Sequence, residues 1–222
     1  MAHKSKQREF AVIGLGRFGA TIALSLVEHG ASVLGIDHDP QIVQGFADHL
    51  THTVSLDSTD EEALREVEIA QIHTVVVAIG SNFEGSVLTT VALKQLGVKN
   101  VVCKATTERQ AEVLRRVGAD RVVLPEVEAG QRLALELSAP ELIDLIPVSD
   151  GYSVAEVRVP DALVECSLGK ANLREAFGLN ILAIRRGAQT TVSPPPNLVL
   201  AEDDILIVLG PDKSIDQISS LK

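Results

Sequence analysis

Between Glu9 and Asp39 the chain reads EFAVIGLGRFGATIALSLVEHGASVLGIDHD. A short apolar strand runs into a glycine-rich turn, then a helix, a second apolar strand and an acid. Gly14, Gly16 and Gly19 form the G-x-G-x-x-G pattern. The first glycine permits a tight turn out of the strand. The second lets backbone approach a phosphate without a Cβ in the way, and the third lets helix and strand pack closely. The helix then turns unpaired N–H groups and the positive end of its dipole towards the phosphates. By itself the pattern is weak, but here it follows a strand, opens a helix and is answered by Asp37.

Asp37 stands where both ribose hydroxyls can be accepted, and its charge would repel a 2′-phosphate. Neither His38 nor Asp39 supplies an arginine to reverse that. NADP is therefore disfavoured, leaving NAD(H), ATP, ADP or AMP. Arg17 lies inside the glycine turn, where a guanidinium suits extra phosphate charge. A solvated surface arginine carries equal weight on sequence alone.

The same rhythm continues. Strands are expected at Phe10–Ile13, Ser32–Asp37, Thr53–Leu56, Thr74–Ala78, Asn100–Lys104 and Arg121–Leu124. Most are short apolar runs without polar alternation, as expected of parallel strands covered on both faces. Ser81 with Glu84, Thr59 with Glu62 and Thr107 with Gln110 have capping-box spacing. Asp39 before Pro40 reads as a cap followed by proline at the first helical position. Gly30, Gly97 and Gly118 read as helix closers. Six β/α units imply an α/β, Rossmann-type doubly wound parallel sheet.

After Leu137 the pattern changes. Strands are expected at Leu142–Pro147, Tyr152–Val159, Asn180–Arg185 and Ile205–Leu209, with a helix at Lys170–Phe177 and a proline-rich loop at SPPPN. The expected organisation is a polar arm at residues 1–9, a nucleotide-binding domain at 10–137 and a smaller α+β domain at 138–222. A hinge is expected at Ser138–Pro140. The polar, basic opening of the chain carries no expected targeting signal.

Composition narrows the function. The formal charge is −10, which disfavours nonspecific attraction to nucleic acid or anionic lipid. No apolar run approaches the roughly 20 residues that span a bilayer. Cys103 and Cys166 lack metal-type spacing, and Cys103 sits in an apolar run as a small hydrophobe. The expectation is a soluble cytosolic protein.

Chemistry is harder to find. The sole tyrosine, Tyr152, is followed four residues later by Glu156 rather than the lysine of a short-chain dehydrogenase. His49 and His52 read as solvated positions rather than metal ligands. No G-x-S-x-G or H-E-x-x-H occurs. The residues point to a sensor that leaves its ligand unchanged. An NAD-dependent oxidoreductase of unknown substrate is the alternative; a redox-sensing repressor and a nucleotide sensor for some other transporter are further ones. Lys104 ends the strand NVVCK and Glu126 follows RVVLP, both at the carboxyl ends of strands where ligands of open α/β sheets gather. Lysine there can meet phosphate and glutamate a divalent cation, but a salt bridge or helix-start acid is favoured for Glu126 on the residues alone.

FAVIGLGRFG, VLGIDHD, VVVAIGSNFEGSVLTTVALKQLGVKNVVCKA, VLRRVGADRVVLPE and AEDDILIVLG together resemble the RCK family. These are regulators of potassium conductance, and the match is nearest the cytosolic gating subunits of bacterial Ktr/Trk uptake systems. The resemblance covers nearly the whole chain. It implies dimers forming an octameric ring under a membrane potassium channel or transporter. It implies no membrane insertion and a peripheral place at the inner membrane face. ATP and ADP, or NAD(H), would be the ligands, with Mg2+ or another divalent cation accompanying ATP.

By the same resemblance, Gly14, Gly16, Arg17, Phe18 and Gly19 would cradle phosphates, with Arg17 near the γ-phosphate. Asp37 would hold the ribose, and His38, standing where the family often has asparagine, would belong to the same nucleotide site. Asp57, Ser58, Ala78, Ile79 and Gly80 would line the adenosine. Lys104 would meet phosphate and Glu126 would hold the cation. Cyclic di-AMP would bind the second domain through Asn172, Ile181, Leu182 and Pro195.

Overall fold

The computed structural model describes residues 9–138 and 141–221. Packing divides the chain into a unit ending at Glu128 and a unit beginning at Ala129. The sequence set its division at Leu137/Ser138. The expected arm, apart from Glu9, and Ala139 and Pro140 of the expected hinge lie outside the described residues. Glu9 itself opens the first strand.

In the first unit β1 (Glu9–Ile13), α1 (Arg17–Glu28), β2 (Ser32–Asp37), α2 (Pro40–Phe46), β3 (His52–Ser55), α3 (Glu61–Glu66), β4 (Thr74–Val77), α4 (Phe83–Gln95), β5 (Asn100–Lys104), α5 (Glu108–Arg116) and β6 (Arg121–Val123) follow in order. The strands form one parallel sheet in the order β3-β2-β1-β4-β5-β6. Chain order reverses between β1 and β4, which is the switch point where such sheets bind ligands. Alternate side chains of one strand serve two cores. Ala11, Ile13, Val75 and Val77 pack on one face, Val12, Val33 and Val76 on the other. Both faces are covered, which explains why these strands carry no polar alternation.

Helix ends follow local chemistry. Asp39 accepts from the Gln41 N–H at 2.8 Å with Pro40 at the first helical position, and Thr107 accepts from the Gln110 N–H at 3.2 Å. Two expected caps are displaced by one residue. Asp60, not Thr59, caps α3, and Asn82, not Ser81, caps α4. In each case the neighbour also has a side chain able to cap.

The helix α6 (Pro125–Ser138) follows β6. The second unit then holds β7 (Leu142–Ser149), β8 (Tyr152–Arg158), α7 (Leu168–Ala171), α8 (Leu173–Phe177), β9 (Asn180–Arg186), β10 (Gln189–Val192), β11 (Ile205–Pro211) and α9 (Asp212–Ser219). Its sheet is antiparallel, in the order β10-β9-β11-β8-β7. Leu173 of α8 and Ile215 and Ile218 of α9 pack on Val157, Leu206 and Val208 of this sheet. The helix expected at Lys170–Phe177 is two short helices broken at Asn172, whose φ is +43°. Asparagine tolerates that left-handed conformation better than most residues. Strand β10 and helix α9 were not anticipated.

Candidate nucleotide-binding cleft

A cleft of about 490 Å³ opens at the carboxyl ends of the first unit's strands, astride the switch point between β1 and β4. Gly14 leaves β1 with φ +90°, and a Cβ there would press on the Ala78 carbonyl carbon at 3.2 Å. At Gly19 a Cβ would fall 1.9 Å from the Gly14 carbonyl oxygen, so no other residue fits without moving backbone. Gly16 differs: a Cβ there would meet nothing within 4 Å, and the residue lines the cleft. No side chain caps the amino end of α1 and no acid occupies its first turn, whereas α2, α3, α4 and α5 each carry a side-chain cap. The first turn of α1 is thus arranged for an anion.

Asp37 is 6% exposed and both its oxygens are engaged. Oδ2 accepts the Leu15 N–H at 2.7 Å, and Oδ1 accepts the Asp39 N–H at 3.0 Å. The acid at the end of β2 therefore holds the glycine turn at the end of β1. A carboxylate has further lone pairs with which to receive ribose hydroxyls. His38 projects from the rim with Nδ1 3.1 Å from Asp37 Oδ1. Across the cleft Asp57 accepts the Thr59 N–H at 2.9 Å and the Thr59 hydroxyl at 2.7 Å. Those bonds, backbone first, hold its carboxyl below the usual value, and the nearby His38 acts in the same direction. Ser58 is buried, its hydroxyl 2.8 Å from that of Thr89.

A second set of residues sits beside the glycine turn. The Lys104 ammonium donates to Glu126 Oε1 at 2.6 Å and lies 5.4 Å from the centroid of the Phe18 ring. It also lies near Gly80, 3.7 Å from where a Cβ would stand. Hydrogen bonds from Lys104, then from its own backbone N–H, hold the Glu126 carboxyl below its usual value, and Arg17 adds its charge. Glu126 is in the first turn of α6 and largely exposed. Both roles favoured for it on the residues alone, salt bridge and helix-start acid, are present.

Gly14, Gly16, Asp37, His38, Asp57, Ser58, Ala78, Ile79 and Gly80 all line the cleft. Arg17, Phe18, Lys104 and Glu126 do not line it but gather around the glycine turn, and Gly19 packs behind that turn. Ser81, Asn82 and Gly85 line it too, within the AIGSNFEGS turn that the sequence places beside the adenosine, whereas Ile13, Ile36, Ile42, Leu56 and Thr59 line it without having been named as ligand contacts. Asn82 carried a signal: an asparagine ahead of an apolar helix, after a strand of the nucleotide fold, lies at the ligand end of the sheet. Ile42 and Leu56 look like ordinary core residues in sequence.

In the second unit, the Ser193 N–H donates to the Leu182 carbonyl at 2.9 Å, and the Gly169 N–H to the Pro196 carbonyl at 2.7 Å. These bonds bring the Pro195 loop beside Leu182 and the short helix that ends at Asn172. The Asn172 amide donates to Glu175 Oε2 at 2.5 Å. Ile181 is half-buried and packs on the core.

Models of two family domains match the chain: the TrkA-N domain over residues 10–125 and the TrkA-C domain over residues 154–222. Ktr system potassium uptake proteins C and A of Bacillus subtilis (strain 168) are 39% and 37% identical to it, over 92% and 95% of both chains. The chain belongs to the RCK family. Within that family it resembles the GsuK RCK domain and the GsuK channel bound to NAD, with TM-scores of 0.55 and 0.54 and 26% identity. It is covered to 97% in both comparisons and spans 47% and 39% of those chains. Among the described residues, no helix is long and apolar enough to cross a membrane.

Proposed function

We propose that this RCK chain is a regulatory, non-catalytic subunit of a potassium uptake system and senses adenine nucleotides by occupancy of its first-unit cleft. The reading rests above all on one observation. The uncapped start of α1, the open face of Gly16 and the anchored carboxylate of Asp37 all front one cleft at the switch point. An adenosine ligand would set its ribose at Asp37 and its anionic tail against α1. ATP and ADP would differ at the far end, where Arg17, Lys104 and Glu126 gather. Glu126 would share a divalent cation with ATP. A structural relative, the GsuK channel, is described bound to NAD, which keeps NAD(H) among the candidates.

A ligand shifts an equilibrium only through unequal affinity for two states. Taking a regulated partner from mostly closed to mostly open requires roughly 5.5 kcal/mol of such difference. A ring of dimers, an octamer in this reading, would share that over several sites while it lies at the inner membrane face against a potassium-conducting partner. The second unit would carry the additional cyclic di-AMP site, with Asn172, Ile181, Leu182 and Pro195 as contacts.

The test is a thermal-shift panel with ATP, ADP, NAD, NADH, NADPH and cyclic di-AMP. A ligand at a hundredfold its dissociation constant adds about 2.7 kcal/mol, a readily measured melting shift. Shifts with ATP and ADP and no nicotinamide turnover support the reading. Indifference to every adenine nucleotide, or steady turnover of a small alcohol, contradicts it.

A further inference from the structure

Asp37 repels a 2′-phosphate unless a cation stands beside it, and among the described residues no lysine or arginine ion-pairs with Asp37, Asp39 or Asp57. The geometry offers a different cation. The His38 imidazole is 87% exposed on the rim of the cleft, with Nδ1 3.1 Å from Asp37 Oδ1. Asp37 is held in place by the Leu15 and Asp39 N–H groups. The His38 backbone is held as well, since its carbonyl accepts the Ser55 hydroxyl of β3 at 3.2 Å. The ring therefore turns on a fixed base. From beyond β3, Asp57 faces the same imidazole, and at the start of α2 Asp39 turns its carboxylate to the Gln41 N–H.

We propose that His38 sets the tolerance of this cleft for a 2′-phosphate, excluding 2′-phosphorylated adenosine nucleotides when neutral and admitting them when protonated. The inference rests on the cleft being an adenosine site. With a neutral ring, a 2′-phosphate would approach Asp37 and Asp57 with nothing to offset their charges. A histidine side chain changes charge within the physiological range. Once protonated it donates from both ring nitrogens, so it can pair with Asp37 and with an incoming phosphate oxygen together. A 2′-hydroxyl needs no such help, because it donates directly to the carboxylate. Acidification thus relaxes the discrimination without abolishing ordinary binding.

The experiment is calorimetric titration with two probes that differ only at the 2′ position, AMP and adenosine 2′,5′-bisphosphate. It is run near pH 5.5 and near pH 8, either side of the histidine range, on the full chain and on His38→Asn and His38→Arg. In the unaltered chain, the ratio of dissociation constants, bisphosphate over AMP, should fall by about tenfold on acidification. His38→Asn should keep only the smaller change due to the probe's own phosphate, whose second pKa is about 6. His38→Arg should hold the low ratio even near pH 8. An equal fall in His38→Asn, or an arginine variant as discriminating as the unaltered chain, overturns the inference while leaving the adenosine site intact. Failure of AMP to bind any of the three proteins overturns the reading of the cleft and this inference with it.

Discussion

The two ends of the proposed ligand site are built from different materials. At the ribose end, Asp37 is buried and fastened to the backbone of two separate segments, with glycines packed against carbonyl groups behind it. At the phosphate end the charges sit on side chains: Lys104 over Phe18, Glu126 largely exposed, and Arg17 close enough for its charge to be felt. The first arrangement is costly to disturb. The second rests on a side-chain pair, which in the proposed function an incoming phosphate would compete for. In the proposed function the rigid end would hold the ribose and the adaptable end would tell ATP from ADP.

Substitutions at the two ends should behave accordingly. The largest effect is expected from Gly19→Ala, whose Cβ would meet the Gly14 oxygen at 1.9 Å. Forcing backbone apart should cost about 3 kcal/mol or more. Thermal melting should fall by about 6–12 °C, with nucleotide binding lost. Asp37→Asn comes next. An amide offers one accepting oxygen to the Leu15 and Asp39 N–H groups, so one N–H is left facing a donor. Loss of about 2 kcal/mol in denaturant unfolding is expected, together with a drop of at least about tenfold in nucleotide affinity.

At the adaptable end, folding should respond less. Lys104→Ala removes a largely buried side chain from the Phe18 ring and should cost about 1 kcal/mol, while weakening ATP by about tenfold. Arg17→Ala should keep ADP affinity and lose a few-fold of the preference between ATP and ADP; equal loss for both ligands in calorimetry contradicts its role. Glu126→Gln should be mildest, within about 0.5 kcal/mol in folding, and should remove the dependence of ATP binding on divalent cation. The folded value of Glu126 lies below its ordinary 4.5, so the pair's contribution is present above that pH and is lost as pH falls. A pH melt of Glu126→Gln against the unaltered chain shows whether that small difference disappears in acid.

The rigid end was legible in sequence because its parts are local: glycine spacing, a strand on either side, and an acid at the next strand's end. Its decisive bond was not. Nothing in the residues says that Asp37 holds the Leu15 N–H, because that contact joins the end of one strand to a turn 22 positions away. At the adaptable end, the rule that ligands gather at strand ends picked out Lys104 and Glu126, and only the fold brings Phe18 beneath the ammonium. In the second unit two elements were passed over although signals existed. Gly187, with φ +57°, opens a two-residue turn that pairs β9 with β10. Ile215 and Ile218, three positions apart, mark the buried side of α9. Both signals are short, and packing against the sheet completes them.

The most direct measurement is titration of ATP and ADP into the purified chain, followed by recovery of the bound ligand for mass analysis. Saturable binding, loss of that binding in Gly19→Ala, and a ligand recovered unaltered are the predicted results. A chain that takes up no adenine nucleotide, or that returns a chemically changed one, would contradict the claim that occupancy itself is the signal.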